Sequence, residues 1–145
     1  MKIILTVLFL IIANQSLADG LYTGAWSYHY YKDEAEAAGY KINSNQNLIA
    51  YERNSYMIGY FKNSFGYDTV IASKYFNLYD NHDIKLGLYA GINYGYRWCG
   101  NDYSHNQDAV ICPHLIPEFR YTKYKLQPSI LLIQYGAALT FRWDI

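Results

Sequence analysis

The chain has 145 residues, with 12 basic and 12 acidic side chains, 18 tyrosines and 3 tryptophans. A net charge of zero without a basic patch excludes nucleic acid as a partner, because such binding rests on neutralising phosphates. Mean hydropathy is −0.17, and beyond residue 18 no apolar run approaches the ~20 residues that a membrane helix needs, so a helical membrane protein is excluded as well.

Met1 and Lys2 precede the apolar run Ile3–Ala13, and Ser16 and Ala18 put small residues at the −3 and −1 positions of a cleavage point. A lone positive charge, a short apolar stretch and small residues so placed mark a secretory signal peptide, and the run is too short for a spanning anchor. Residues 1–18 are therefore expected to be removed. The remaining single domain, 19–145, starts at Asp19 and carries a net charge of −1 once Lys2 is lost.

Eight segments of this domain carry strand patterning: Leu21–Tyr31, Asn47–Glu52, Tyr56–Asn63, Thr69–Leu78, Ile84–Trp98, Ile111–Tyr121, Lys125–Gln134 and Ala137–Asp144. The fifth is the clearest. Ile84, Leu86, Leu88, Ala90, Ile92, Tyr94, Tyr96 and Trp98 fall on one face; Lys85, Gly87, Tyr89, Gly91, Asn93, Gly95 and Arg97 fall on the other. A period of two held this long fits a tilted strand crossing a bilayer. The expected fold is all-β, an eight-stranded antiparallel transmembrane β-barrel, with the aromatic excess forming girdles at the two interfaces.

An even strand count puts both chain ends on the periplasmic side. The connections Lys32–Gln46, Ser64–Asp68, Cys99–Val110 and the tight Tyr135-Gly136 then face outward, and the short turns Arg53–Ser55, Tyr79–Asp83 and Thr122–Tyr124 face the periplasm, the asymmetry usual for such barrels. Eight strands enclose room for side chains or one small ligand, not a water-filled pore. Glu52 and Arg97 are expected to face the lumen, where charges should pair.

Cys99 and Cys112 bracket the third outer loop. In a secreted chain, two cysteines at a loop neck point to a disulfide. Zinc held with His105 and His114 is the weaker alternative, because the ligand spacing is loose; no metal and no cofactor is expected. In the last strand Ala137, Leu139, Phe141, Trp143 and Ile145 alternate with Ala138, Thr140, Arg142 and Asp144. Bacterial outer-membrane barrels finish on a strand of this kind, most of them with Phe where this chain has Ile. The edge of a solvated sheet would more often be blunted by charge or proline.

Three stretches resemble the lipid A palmitoyltransferase family (PagP-like barrels). Gly59-Tyr60-Phe61-Lys62-Asn63-Ser64-Phe65 is similar to a block in which the family has Phe-Lys-Asp-Ser-Trp. Leu86-Gly87-Leu88-Tyr89-Ala90-Gly91 matches in the fifth strand, and Pro113-His114-Leu115-Ile116-Pro117 resembles the family's Pro-x-Leu-x-Pro in the sixth. The blocks keep the family's order, and the resemblance covers most of Asn47–Ile145. It implies transfer of a palmitoyl chain from a phospholipid to lipid A at the outer rim, in the outer membrane, by a monomer whose partners are membrane lipids. The family uses a His, an Asp and a Ser there. Ser64 stands at the Ser and Asn63 at the Asp. Trp26-Ser27 falls opposite the family's Trp-His, so His29, two residues on and on the same strand face, is the candidate for the imidazole.

The residues can be weighed without the family. Acyl transfer needs a group that activates a hydroxyl and donors that hold the oxyanion. Strand directions bring His29 and Asn63-Ser64 to the outer end. Asn63 cannot ionise, so it cannot stabilise an imidazolium as a carboxylate would, although it could donate to an oxyanion. The alternative is that His29 and Ser64 are ordinary lumen and loop polar groups. Pro113 and Pro117 donate no ladder hydrogen bond, and two on one strand would open a lateral gap through which a lipid chain could enter; the alternative is a local bulge. The reading is therefore an acyltransferase, or else a non-catalytic barrel of the same shape that alters the cell surface or binds a hydrophobic ligand. A soluble lipocalin-like carrier ranks third, since its exterior would be polar.

Overall fold

In the computed structural model, which describes residues 19–37, 39–97, 99 and 108–145, alternation along the chain becomes a sheet closed on itself. Segment 1–18, Trp98 and His105 lie outside the described residues. The strands are β1 (Gly20–His29), β2 (Asn45–Arg53), β3 (Tyr56–Lys62), β4 (Asp68–Asp80), β5 (Ile84–Tyr96), β6 (Val110–Tyr121), β7 (Leu126–Ile133) and β8 (Gly136–Asp144). All pairs are antiparallel in sequence order, and β1 pairs with β8 to complete the barrel. A six-residue helix, α1 (Lys32–Ala37), occupies part of the segment expected to be only a loop. It is too short to show a helical period, but Asp33 and Glu34 in its first turn suit the positive end of its dipole. Both described chain ends lie at one end of the barrel, the terminal end; α1 and the longer connections lie at the other, the loop end.

Polarity runs opposite to that of a water-soluble domain. Ile49, Ile58, Val70, Ile92, Ile111, Leu115, Ile130 and Leu132 are exposed on the outer wall, while Glu52, Glu118, Arg120 and Arg142 are buried inside at 2–3% exposure. The interior charges form a compensated belt toward the terminal end. Arg120 binds Glu118 through Nη2 to Oε2 at 2.6 Å and through Nε to Oε1 at 3.2 Å. Arg142 Nη2 reaches Glu52 Oε1 at 3.4 Å. The hydroxyls of Tyr22 and Tyr89 lie 2.6 Å apart between the two pairs, and Tyr89 also donates to Glu52. Buried charges persist only when paired, and each charge of this belt faces an opposite one. Glu52 thus pairs with Arg142 and not with Arg97, whose guanidinium lies over the Tyr67 ring, 5.0 Å from its centroid. Inside the barrel Ala25, Leu48, Ala50, Met57 and Ile71 form an apolar cluster with the ring faces of Tyr22, Tyr75 and Tyr89, and Phe61, Ile116 and Leu131 pack alongside; buried Ser27, Gln46, Thr69, Ser73 and Thr140 are interspersed.

Two irregularities set which side chains point inward near the loop end. In β1, Gly24 pairs with Thr140 and Trp26 with Leu139, leaving Ala25 as an extra residue. Gly24 and Ala25 have φ of 94° and 73°, the left-handed conformation of a β-bulge. Inward positions therefore switch from Gly20 and Tyr22 to Ala25, Ser27 and His29. In β5 the register against β6 shifts between Tyr94 and Tyr96, around Gly95 at φ 138°. The wall is uneven as well. β7 pairs with β8 at eight positions but with β6 at only three, Glu118–Leu131, Phe119–Ile130 and Arg120–Ser129. The stretch Val110–Pro117 of β6 thus has no β7 partner, and the seam opens toward the loop end. All three prolines, Pro113, Pro117 and Pro128, lie on these two strands, where each removes a ladder donor.

Candidate functional site

The last residue of β1, His29, meets the turn after β3. Its Nε2 lies 2.6 Å from Ser64 Oγ, and both residues are buried, at 8% and 9% exposure. The bulge at Ala25 turns the imidazole inward, while Tyr28 and Tyr30 remain outside. Ser64 is held by its backbone, whose carbonyl accepts from the Asn43 amide at 2.7 Å. Its hydroxyl has a further partner that the sequence does not single out: Gln46 Nε2 donates to Oγ at 3.2 Å. Gln46, expected in the loop before the second strand, belongs to β2. Tyr96, expected on the outward face of the fifth strand, is half-buried beyond the register shift at Gly95. The glycine was the only sign in the sequence.

Asn63 is fully buried beside this cluster, yet its carboxamide serves its own turn. Oδ1 accepts from the Phe65 and Tyr67 amides at 3.0 and 3.1 Å; Nδ2 donates to Thr69 Oγ1 at 3.0 Å and to the Gly95 carbonyl at 3.4 Å. The structure brings His29 and Ser64 together and gives Asn63 the job of shaping the turn that presents Ser64. His29 Nδ1 is buried with no hydrogen-bond partner among the described residues. Accepting the Ser64 proton at Nε2 is geometrically direct, but no carboxylate orients the ring from behind as in a complete triad. Pro113 and Pro117 are exposed on the outer wall of β6, along the unpaired edge of the seam.

Cys99 and Cys112 form a disulfide that closes the loop neck between β5 and β6. The cysteines are thus engaged with each other, and among the described residues no group of three His, Cys, Asp or Glu side chains could hold a metal ion. His114, considered above as a zinc ligand, faces the lumen with Ser73 Oγ 2.8 Å from its Nε2. No protein-family model matches the chain, and none of the curated proteins matches it in sequence.

Proposed function

We propose that the chain is an outer-membrane acyltransferase that moves a palmitoyl-type chain from a phospholipid to lipid A at the loop-end rim. The observation that carries this reading is the 2.6 Å contact of His29 Nε2 with Ser64 Oγ at the loop end of the barrel. It is a base beside a hydroxyl, the minimum for moving an acyl group. The apolar outer wall supports membrane insertion, since contiguous exposed apolar surface on this scale needs a covering. The β6–β7 seam offers an acyl chain a lateral route into the lumen from the same end. In this scheme Ser64 is the reacting hydroxyl, His29 takes its proton, and Gln46 holds the hydroxyl in place.

A second reading is favoured by one specific observation. The missing partner at His29 Nδ1, together with Asn63 being committed to its turn, suits a non-catalytic barrel that alters the cell surface or binds a hydrophobic ligand. Mass spectrometry of lipid A from cells with and without the protein separates the two: an added acyl chain supports the transferase, and unchanged lipid A supports the second reading. Fractionation tests the location. The protein should sediment with outer membranes and migrate faster unboiled than boiled, and recovery as a soluble periplasmic species would overturn the membrane assignment.

A further inference from the structure

A second serine–histidine pair lies deeper in the lumen. Ser73 stands on β4, Gly91 on β5 and His114 on β6, and the register aligns them across three strands, with Ser73 opposite Gly91 and Gly91 opposite His114. Because Gly91 carries no side chain, Ser73 Oγ and His114 Nε2 reach over it to 2.8 Å. A Cβ at position 91 would come within 2.1 Å of the Ala72 carbonyl and 2.7 Å of Ser73 Cα, so glycine is required there. Asn93, the next inward residue of β5, approaches the other ring nitrogen, with Nδ2 3.5 Å from His114 Nδ1.

The amide of Asn93 gives the independent clue. As oriented, its Oδ1 is buried without a partner, while Nδ2 makes only a long contact with Nδ1. Rotating the carboxamide by half a turn exchanges the two atoms, a choice that hydrogen bonding must decide. Oδ1 then accepts from Nδ1–H, which fixes the tautomer with Nε2 unprotonated and facing the Ser73 hydroxyl. That is a nucleophile, a base and an orienting third group, the member that His29 lacks. Ser73 is four residues below Thr69, roughly 13 Å along β4 at ~3.3 Å per residue, so this is not part of the rim cluster. His114 belongs to the stretch of β6 without a β7 partner, and Ile71, Ile116 and Met57 make the surroundings apolar.

We infer that Ser73, His114 and Asn93 form a second, intraluminal nucleophile site that takes linear acyl esters entering through the β6–β7 seam. Ser73 Oγ attacks the ester carbonyl while its proton passes to His114 Nε2. The bond from the acyl carbon to the alcohol oxygen breaks, and the alcohol leaves with that proton. Water then attacks the Ser73 ester, His114 accepting the water proton and returning it to Oγ, and the free acid is released. The site does not depend on His29 or Ser64.

The test uses the mature chain refolded in detergent, with heat-dependent gel mobility as the folding control. An alkyl fluorophosphonate, which forms an Oγ–P bond as fluoride leaves, is the probe, and peptide mass spectrometry locates the adduct. The expected adduct is on Ser73, in the parent and in Ser64→Ala alike, and is lost in Ser73→Ala. His114→Gln should slow labelling by about 100-fold or more, the scale of a lost general base. Asn93→Ala should slow it and Asn93→Asp retain it. Hydrolysis of p-nitrophenyl butanoate should follow the same order. Folded protein without a Ser73 adduct, or with one whose rate ignores His114→Gln, overturns the site and reduces these residues to a structural hydrogen-bonded bar. Because Ser64→Ala is run in parallel, that failure is distinguishable from failure of the rim chemistry.

Discussion

Glu118→Ala is the sharpest test of how the lumen is held together. The Glu118 side chain is fully buried and that of Arg120 is 3% exposed. Their two-pronged contact is supplemented by the Ser129 hydroxyl donating to Glu118. Removing the carboxylate strands a guanidinium whose remaining polar neighbours include the Tyr22 and Tyr89 hydroxyls. Leaving one buried charge unpaired costs about 3–5 kcal/mol, and the lost Ser129 bond adds roughly 1 kcal/mol. Removing both charges, as in Glu118→Leu with Arg120→Met, should return to within about 1 kcal/mol of the parent, because apolar replacement of a buried pair is often neutral. The assay is urea unfolding of protein refolded into phospholipid vesicles, followed by tryptophan fluorescence and gel mobility. A single variant costing under ~1 kcal/mol, or a double variant costing the sum of two singles, would refute the reasoning, since contacting charges must couple.

Three further perturbations address the rim. Ala25→Val places a β-branched side chain at φ 73° and should cost roughly 1–3 kcal/mol while displacing His29, whereas Ala25→Gly should leave both unfolding and site geometry intact; equal behaviour of the two would remove the bulge from the account. Asn63→Asp forfeits donation to Thr69 Oγ1 and the Gly95 carbonyl and should destabilise the Ser64 turn by about 1–3 kcal/mol in the same unfolding assay; because a carboxylate supports an imidazolium better than an amide does, a gain in transfer would return Asn63 to the chemistry. Replacing Cys99 and Cys112 with serine should lower stability by roughly 3 kcal/mol on the chain-entropy account of a loop this short, and alkylation of unreduced native protein should find no free thiol.

The fold was legible because a barrel wall obeys one strict rule, inward against outward with a period of two, and β5 follows it from Ile84 to Tyr94. What escaped the sequence is where that rule slips. A single extra residue reverses every later side chain, and Ala25 does so without a sequence mark beyond the preceding glycine. The same effect at Gly95 hid Tyr96. Lumen partners were harder still, because pairing depends on cross-strand register. Glu52 lies opposite Gly20, next to the strand that carries Arg142, and not near Arg97. Strand direction puts His29 and Ser64 at the same end of the barrel, but the bulge that turns the imidazole toward Ser64 is not legible in the sequence. The alignment of Ser73, Gly91 and His114 requires the register of three strands, and no linear spacing discloses it.

The most direct test of the proposed chemistry is acyl transfer by the refolded barrel, given a phospholipid donor with a labelled acyl chain and lipid A as acceptor. The account predicts labelled lipid A from the parent and none from His29→Ala or Ser64→Ala, with all three proteins showing the same heat-dependent gel mobility. Transfer that persists in both variants, or a folded parent that labels no lipid A, would contradict it.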